Sequence, residues 1–386
     1  MWRWFLFCWV LSTMLFLLTG CASSQPVDSR PVATHTEDDR ATATPAPAAT
    51  PPNAAVHNPD PTNTPAPIVT PEIAPSPEPV ALTSDVVTDS DCCGLFDWID
   101  SDHLLVFDQP TGREDGSYVI DLFSGRAALV SQGFGIPSPS GMIAMLEPGT
   151  SDLVIRDIDG EQLASIETNG QPAWPSPDGT VVAWLEPLPV RVPSSSVNRQ
   201  VQLKVSDVGG TELRTVAELQ SQEIRWLPDN QRIVTIGRGR DFQSPGIWLI
   251  DTDTNEVTVL HEETFVRSLE LSPDGRHVAF MRLFNDDPAD NGVFVLNIET
   301  GDLQYAFETG PYRWDADGQH LWRLQMGATG VEADQLVRFD PSTGSVVEVI
   351  DLDGQVLNEQ WALSPDGEKV AFWRYEDGMV VVQALR

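Results

Sequence analysis

Hydrophobic positions follow three regimes along this chain of 386 residues. From Trp4 to Leu18 they form one nearly unbroken apolar run. From Cys21 to about Pro79 they thin out, aromatic residues are absent, and Pro, Thr and Ala dominate. From about Asp91 onward Trp, Phe, Val and Ile return in short clusters cut by turn residues. Runs such as Val278-Ala279-Phe280-Met281 and Val370-Ala371-Phe372-Trp373 are continuous rather than alternating, which predicts strands buried on both faces. No helical periodicity interrupts them.

The clusters recur at a fixed offset from a turn. Asp102, Ser140, Asp178, Asp229, Asp274, Asp317 and Asp366 mark seven units, spaced by 38, 38, 51, 45, 43 and 49 residues. In the fullest units the turn reads Ser-Pro-Asp-Gly: Pro presets φ, Asp bonds the local backbone, and Gly takes a positive φ. A third strand then ends in a second turn, as in "IWLIDTDTN" (Ile247–Asn255) and "VFVLNIETG" (Val293–Gly301). A more polar fourth strand follows, as in "EVTVL" (Glu256–Leu260). Four strands repeating at roughly 40–50 residues is the period of a propeller blade. The expected fold is therefore all-β, a seven-bladed β-propeller, with six or eight blades left open. The last unit stops at its third strand, Met379–Arg386, and "VALTSDVV" (Val80–Val87) would supply the fourth, removing the free edges.

Three units carry the full Ser-Pro-Asp-Gly, at 176–179, 272–275 and 364–367; Asp102-His103 and Asp229-Asn230 lack the Gly. With their flanking strands, these turns resemble the TolB-type, WD-repeat-like β-propeller family over residues 80–386. The resemblance implies that the Ser-Pro-Asp-Gly turns lie on one face and that ligands meet the opposite face, where the channel opens. TolB itself has six blades and a separate N-terminal domain, so its role in an envelope complex is not implied.

The N-terminal regimes predict export. Arg3 precedes the apolar run, which is short for a membrane span and ends in small residues. Leu18-Thr19-Gly20-Cys21 resembles the lipobox of bacterial lipoproteins. That resemblance implies cleavage after residue 20 and acylation of Cys21, several acyl chains giving the anchoring that one cannot. Ala22-Ser23 lacks the Asp used for inner-membrane retention, which favours an outer face. The expected organisation is a signal peptide over 1–20, a lipidated, disordered Pro-rich linker over 21–79 and a propeller over 80–386. The linker holds 14 of the 31 prolines, suiting a semi-rigid spacer. The expected location is extracytoplasmic, with the membrane met through the lipid on Cys21.

A formal charge of −34, from 57 acidic and 23 basic residues, argues against nucleic acid as a partner. It fits a soluble, self-repelling surface and a monomer. No G-x-S-x-G, H-E-x-x-H, P-loop or G-x-G-x-x-G is present. The turn serines Ser176, Ser272 and Ser364 read as turn chemistry rather than nucleophiles. His103, His277, His320 and His261 are dispersed over separate units, unlike a zinc ligand set.

Three features stand out as candidate sites. Arg191, Arg199, Arg238, Arg240, Arg267, Arg282, Arg323 and Arg374 fall at second-strand ends or in loops of the channel face. They would bind an anionic ligand or an acidic protein surface, unless local acids such as Glu186 and Asp377 pair with them. Asp286, Asp287 and Asp290 share one loop, an oxygen-rich set suited to calcium, although the spacing departs from the EF-hand pattern; no other cofactor is expected. Cys92-Cys93 form a vicinal pair in an oxidising compartment. Neighbouring Cα atoms lie closer than a relaxed disulfide prefers, so a bond there would be strained and reducible.

The functional expectation is a cell-surface or periplasmic, lipid-anchored scaffold that binds an envelope protein or an anionic ligand without catalysis. Two alternatives stand: an envelope hydrolase or lyase acting on glycan or lactone at the channel mouth, and a redox sensor using Cys92-Cys93.

Overall fold

The computed structural model describes residues 84–88, 95–108, 114–188, 200–239, 245–285, 287–327 and 332–385. The signal and linker expected over 1–79, Cys21, the Cys92-Cys93 pair, Arg191, Arg199, Arg240 and Asp286 lie outside them. Among the described residues the one helical element is the 3-10 turn Pro288–Asp290, and no helix is long and apolar enough to cross a membrane.

Everything else is antiparallel sheet, which explains why no 3.6-residue period was found. The chain enters through β1 (Ser84–Thr88) and continues into β2 (Leu95–Trp98), β3 (His103–Asp108), β4 (Gly116–Asp121) and β5 (Arg126–Ser131), the last four forming one sheet. A second sheet holds β6 (Phe134–Pro137), β7 (Ile143–Leu146), β8 (Asp152–Arg156) and β9 (Gln162–Glu167). A third runs through β10 (Ala173–Pro175), β11 (Val181–Pro187), β12 (Val201–Asp207), β13 (Arg214–Trp226), β14 (Arg232–Gly239), β15 (Pro245–Asp251) and β16 (Val257–Glu262). A fourth holds β17 (Val266–Leu271), β18 (His277–Arg282), β19 (Gly292–Asn297) and β20 (Leu303–Phe307). The fifth joins β21 (Tyr312–Trp314), β22 (Leu321–Met326), β23 (Glu332–Asp340), β24 (Ser345–Leu363), β25 (Lys369–Arg374), β26 (Met379–Ala384) and, at its end, β1.

The two long sheets each fuse two units. β13 pairs with β12 through its first half and with β14 through its second, and β24 does the same between β23 and β25. Neither stretch carries a Pro, and the strand runs on from the outer edge of one unit to the inner edge of the next. With β13 and β24 each counted in two units, the described strands form seven groups of four. The last group is completed by β1, whose Ser84 to Thr88 pair with Gln383 to Val380 of β26, so the expected clasp is present.

Packing follows the same order. The described core divides into seven apolar clusters, each drawn from two consecutive groups. In β18, Val278 and Phe280 pack toward the preceding group while Ala279 and Met281 pack toward the next. In β25, Val370 and Phe372 face one neighbour and Ala371 the other. A blade sandwiched between two others must be apolar on both faces, and that is why the runs are continuous. Stacking sheets around an axis in this way is a β-propeller.

The turns between first and second strands are built alike. Ser272 Oγ donates to Asp274 Oδ1 at 2.6 Å and accepts the His277 amide at 2.9 Å, while Asp274 accepts the Arg276 amide at 3.0 Å. Ser176/Asp178 and Ser364/Asp366 repeat this. Gly275 closes the turn at φ 70°, and a Cβ there would come within 2.6 Å of Pro228 Cδ. Where the fourth unit lacks this Gly, Asn230 takes the positive φ, at 62°. These turns share a face with the third-to-fourth strand turns, because successive antiparallel strands reverse direction; the second-to-third strand loops lie opposite.

Candidate functional site

Successive residues of each inner strand face opposite ways, and in three of the strands a Trp packs against the neighbouring blade. Trp98, Trp226 and Trp314 are the packed residues, all under 9% exposed. Their indole N–H groups donate to the inner strand of the preceding group: Trp98 to Ala362 O at 3.1 Å, Trp226 to Trp174 O at 2.8 Å and Trp314 to Glu270 O at 3.1 Å. The residue before that position has the same register in all seven groups: Asp97, Ile136, Trp174, Arg225, Glu270, Arg313 and Ala362, of which Trp174 and Ala362 pack into the clusters between blades.

Four of these seven are charged, and they converge. Asp97, from the first group, feels the charges of Arg313, Glu270 and Arg225 from the sixth, fifth and fourth groups. Glu223, one turn of the pleat before Arg225, joins them. Arg225 Nη2 lies 2.7 Å from Glu223 Oε1, and Arg313 Nη1 lies 3.2 Å from Glu270 Oε1. Arg313 also stands over the Trp361 ring, 5.4 Å from its centroid. The paired side chains keep 23–34% of their surface accessible, and Asp97 is exposed, although protein encloses all of them. That combination is the signature of side chains lining a solvent-reached channel. Burial pushes the Asp97 and Glu223 carboxyls up, against the pull of the Trp98 amide and Arg313 on Asp97 and of Arg225 on Glu223. Tyr312 is 2% exposed and donates its hydroxyl to Ser268 O; burial, then Glu270 and Glu223, hold its phenol well above its ordinary value.

The arginines singled out by position behave differently. Arg282 pairs with Glu263 at 2.7 Å and lies 4.1 Å over the Phe294 ring. Arg374 is clamped by Asp377 at 2.6 Å and Asp353 at 3.1 Å. Arg323 lies 5.2 Å over Phe307 and 6.0 Å over Phe339. Arg267 stands 5.9 Å over Phe284, and Arg238 is exposed near the end of β14. These five sit on four different groups, each engaged locally where a partner is recorded. Arg267 belongs to an aromatic patch on the channel face: Phe265 and Phe284, 45% and 59% exposed, meet edge to face at 6.3 Å. Phe284 holds a positive φ of 62°, a strained conformation for an aromatic residue.

The acidic loop closes on itself. The Asn285 amide and side chain both reach Asn291 Oδ1, at 3.1 and 3.2 Å, and the Asp290 amide donates to Asp287 O at 3.0 Å. With Asp286 outside the described residues, the three acids are not placed as a set. A different group has metal-compatible spacing: ligand atoms of Asp315, Asp317 and His320 lie within 4.8 Å of one another. It arises because Asp315 replaces the turn Ser, setting two carboxylates where other units have a hydroxyl and a carboxylate. Arg338 Nη2 fills the gap, 2.6 Å from Asp315 and 2.7 Å from Asp317. A guanidinium already neutralises the pair, so a metal would have to displace it. The remaining histidines stay apart: His103 pairs with Asp100, His261 lies 3.9 Å from Glu263, and His277 meets Asn297.

The turn serines Ser176, Ser272 and Ser364 are at most 3% exposed and bonded within their turns. The charged set Asp97, Arg225, Glu270 and Arg313 was missed because the seven residues at this register share no type; the register against the turn was the available signal.

No protein-family model and no curated protein matches the chain. Its fold is similar to an oligogalacturonate lyase solved in complex with manganese, at TM-score 0.59 and 14% identity, covering 81% of this chain and 98% of that one. It is also similar to the β-propeller domain of Cps50 (Swd1) from Myceliophteria thermophila, at TM-score 0.51 and 13% identity, covering 79% and 100%. TolB from Acinetobacter baumannii matches at TM-score 0.41 and 14% identity over 75% and 78% of the two chains. At these identities the likeness is one of architecture, and it places this chain among the β-propellers.

Proposed function

We propose that this protein is a lipid-anchored, seven-bladed envelope propeller that binds a partner through its channel face and catalyses no reaction. The observation that carries this reading is the pairing of the axial charges. Arg225 with Glu223 and Arg313 with Glu270 form a preorganised pattern of positive and negative groups reached by solvent. Recognition needs such a fixed pattern. Acid–base chemistry needs instead a carboxyl free to take and release a proton beside the bond it breaks; Glu223 and Glu270 are each held by an arginine, and the carboxylate of the cluster outside these ion pairs, Asp97, borders the cavity between the first and second groups. The exposed Phe265/Phe284 patch adds apolar contact area at the channel mouth. The anchor at Cys21 and an extracytoplasmic location follow from the lipobox resemblance, and the Pro-rich linker is the reach of the tether.

Affinity capture from the native envelope tests this reading. The doubly charge-swapped variant Glu270→Arg with Arg313→Glu keeps the pair but inverts the pattern shown to a ligand. The wild-type protein is expected to retain a partner that the swapped protein loses while melting within a few degrees of wild type. Equal capture by both proteins would count against the channel. Turnover of acidic oligosaccharides or lactones, with or without added manganese, would favour the lyase alternative instead.

The redox alternative rests on the adjacent Cys92-Cys93 of the sequence. Intact mass with and without reductant reads the state of Cys92 and Cys93.

A further inference from the structure

The wall of the ring is hollow between the first and second groups. A cavity of about 140 Å³ opens there, bounded mainly by Leu95, Phe107, Phe134 and Ile136. An apolar cavity of roughly 150 Å³ is enough to hold benzene. Phe107 and Phe134 meet edge to face at 6.2 Å and form one wall, and Phe134 is 45% exposed, so the hollow communicates with solvent. Two polar side chains reach it. Ser117 already donates its hydroxyl to Gly133 O at 2.6 Å. Asp97 is the single ionisable group in the lining.

Among the described residues no side chain forms an ion pair with the Asp97 carboxylate, which accepts the amide N–H of its own neighbour, Trp98, at 2.8 Å. The two axial guanidiniums are held by Glu223 and Glu270, leaving three carboxylates against two guanidiniums on the axis. A carboxylate at the edge of an apolar hollow is costly unless paired, and the cheapest partner is a cation whose remainder is apolar. The chain's charge of −34 draws cations toward it.

We infer that this cavity is a binding site for a compact apolar cation, a benzene-sized group bearing an ammonium, with the ring in the hollow and the charge on Asp97. The same chemistry is offered by a free arylalkylamine or by the amino terminus of a peptide that begins with Phe. The inference stands on the cavity and does not rest on capture of an envelope partner.

Calorimetric titration of the whole protein with matched probes tests it. Benzylamine, benzyl alcohol and phenylacetate share the ring and differ in charge. Benzylamine is expected to bind at least tenfold more tightly than benzyl alcohol, and phenylacetate more weakly than either. Asp97→Asn is expected to erase the preference while benzyl alcohol still binds, which also shows that the variant folds. Ile136→Trp, which fills the hollow, is expected to abolish binding of all three. Phe-Gly-Gly amide binding more tightly than benzylamine would assign the site to a peptide terminus, and the reverse order to a free amine. Equal affinities in the wild type, a preference that survives Asp97→Asn, or no binding by any probe would overturn the inference.

Discussion

Replacing Ser364 with Ala separates a turn from an active site. Ser364 is 3% exposed, donates to Asp366 Oδ1 at 2.5 Å and accepts the Lys369 amide at 2.9 Å. Removing the hydroxyl strands a buried amide N–H, at about 1–3 kcal/mol, and withdraws one of the donors that keep Asp366 ionised. Glu368 still donates to Asp366 at 3.0 Å, so the carboxylate loses part of its support and the total should stay near 2 kcal/mol. Urea unfolding of the purified variant would show the midpoint falling at unchanged slope. Thr343→Ala, in an exposed turn where Thr343 bonds Asp340 at 2.9 Å, is the control and should cost under about 1 kcal/mol. The reasoning fails if Ser364→Ala leaves stability unchanged and removes a measured activity, because a nucleophile behaves that way and a structural hydroxyl does not.

Three other outcomes follow from the same geometry. Arg338→Met should cost about 3–5 kcal/mol, because it removes the guanidinium that neutralises fully buried Asp315 beside Asp317 and leaves His320, on Asp317, as the cation paired in that cluster; manganese added to the variant should restore part of that loss and leave wild type unchanged, as a thermal melt would show. Gly275→Ala forces a side chain into φ 70° and against Pro228, costing about 1–2 kcal/mol for the backbone and roughly as much again for the contact; Gly344→Ala, at the same φ with open space around it, isolates the backbone part. The third concerns pH. Burial opposes ionisation of Asp274, Asp317 and Asp366, yet hydrogen bonds from Ser272, from the Gln319 amide and from Ser364 outweigh it and hold these carboxyls below the ordinary value. Their stabilisation is complete above the unfolded carboxylate pKa, about 3.9, and is lost as pH falls through the lowered values. Asp97 and Glu223 are raised and act in the opposite sense, so their contribution declines as pH climbs above the unfolded value; Asp97→Asn with Glu223→Gln should flatten that decline in a melt series from acid to neutral pH.

What could be read from the sequence was whatever the fold repeats. The Pro-Asp-Gly turns mark the period because six of the seven units reverse φ at the same place, at Gly141, Gly179, Asn230, Gly275, Gly318 and Gly367. The runs at Val278–Met281 and Val370–Trp373 look continuous because each faces two blades. The clasp by β1 was legible because the last unit stops one strand short of its pattern. The fusion at β13 and β24 was not foreseen, because a repeat read blade by blade assumes a loop there and β24 carries Asp353-Gly354, a turn signal, between its halves. The axial cluster was harder still. Inner strands such as β10 and β21 have three residues each, and the one position per blade at this register carries Asp, Ile, Trp, Arg, Glu, Arg and Ala in turn. A site assembled from one residue per blade has no local spacing, and only closure of the ring brings it together. The arginine candidates were chosen for lying at strand ends or in loops, where Arg282 and Arg374 pair with nearby acids, Glu263 for the first and Asp353 and Asp377 for the second.

Site-specific photo-crosslinking in living cells tests the central claim most directly. A photoreactive residue replaces Phe284, 59% exposed on the channel face, or Phe123, 97% exposed on the turn face. The account predicts a discrete adduct from position 284 that disappears in the Glu270→Arg with Arg313→Glu background, and none from position 123. An adduct from position 123 alone would contradict it, because the partner would then be reading the turns and not the channel.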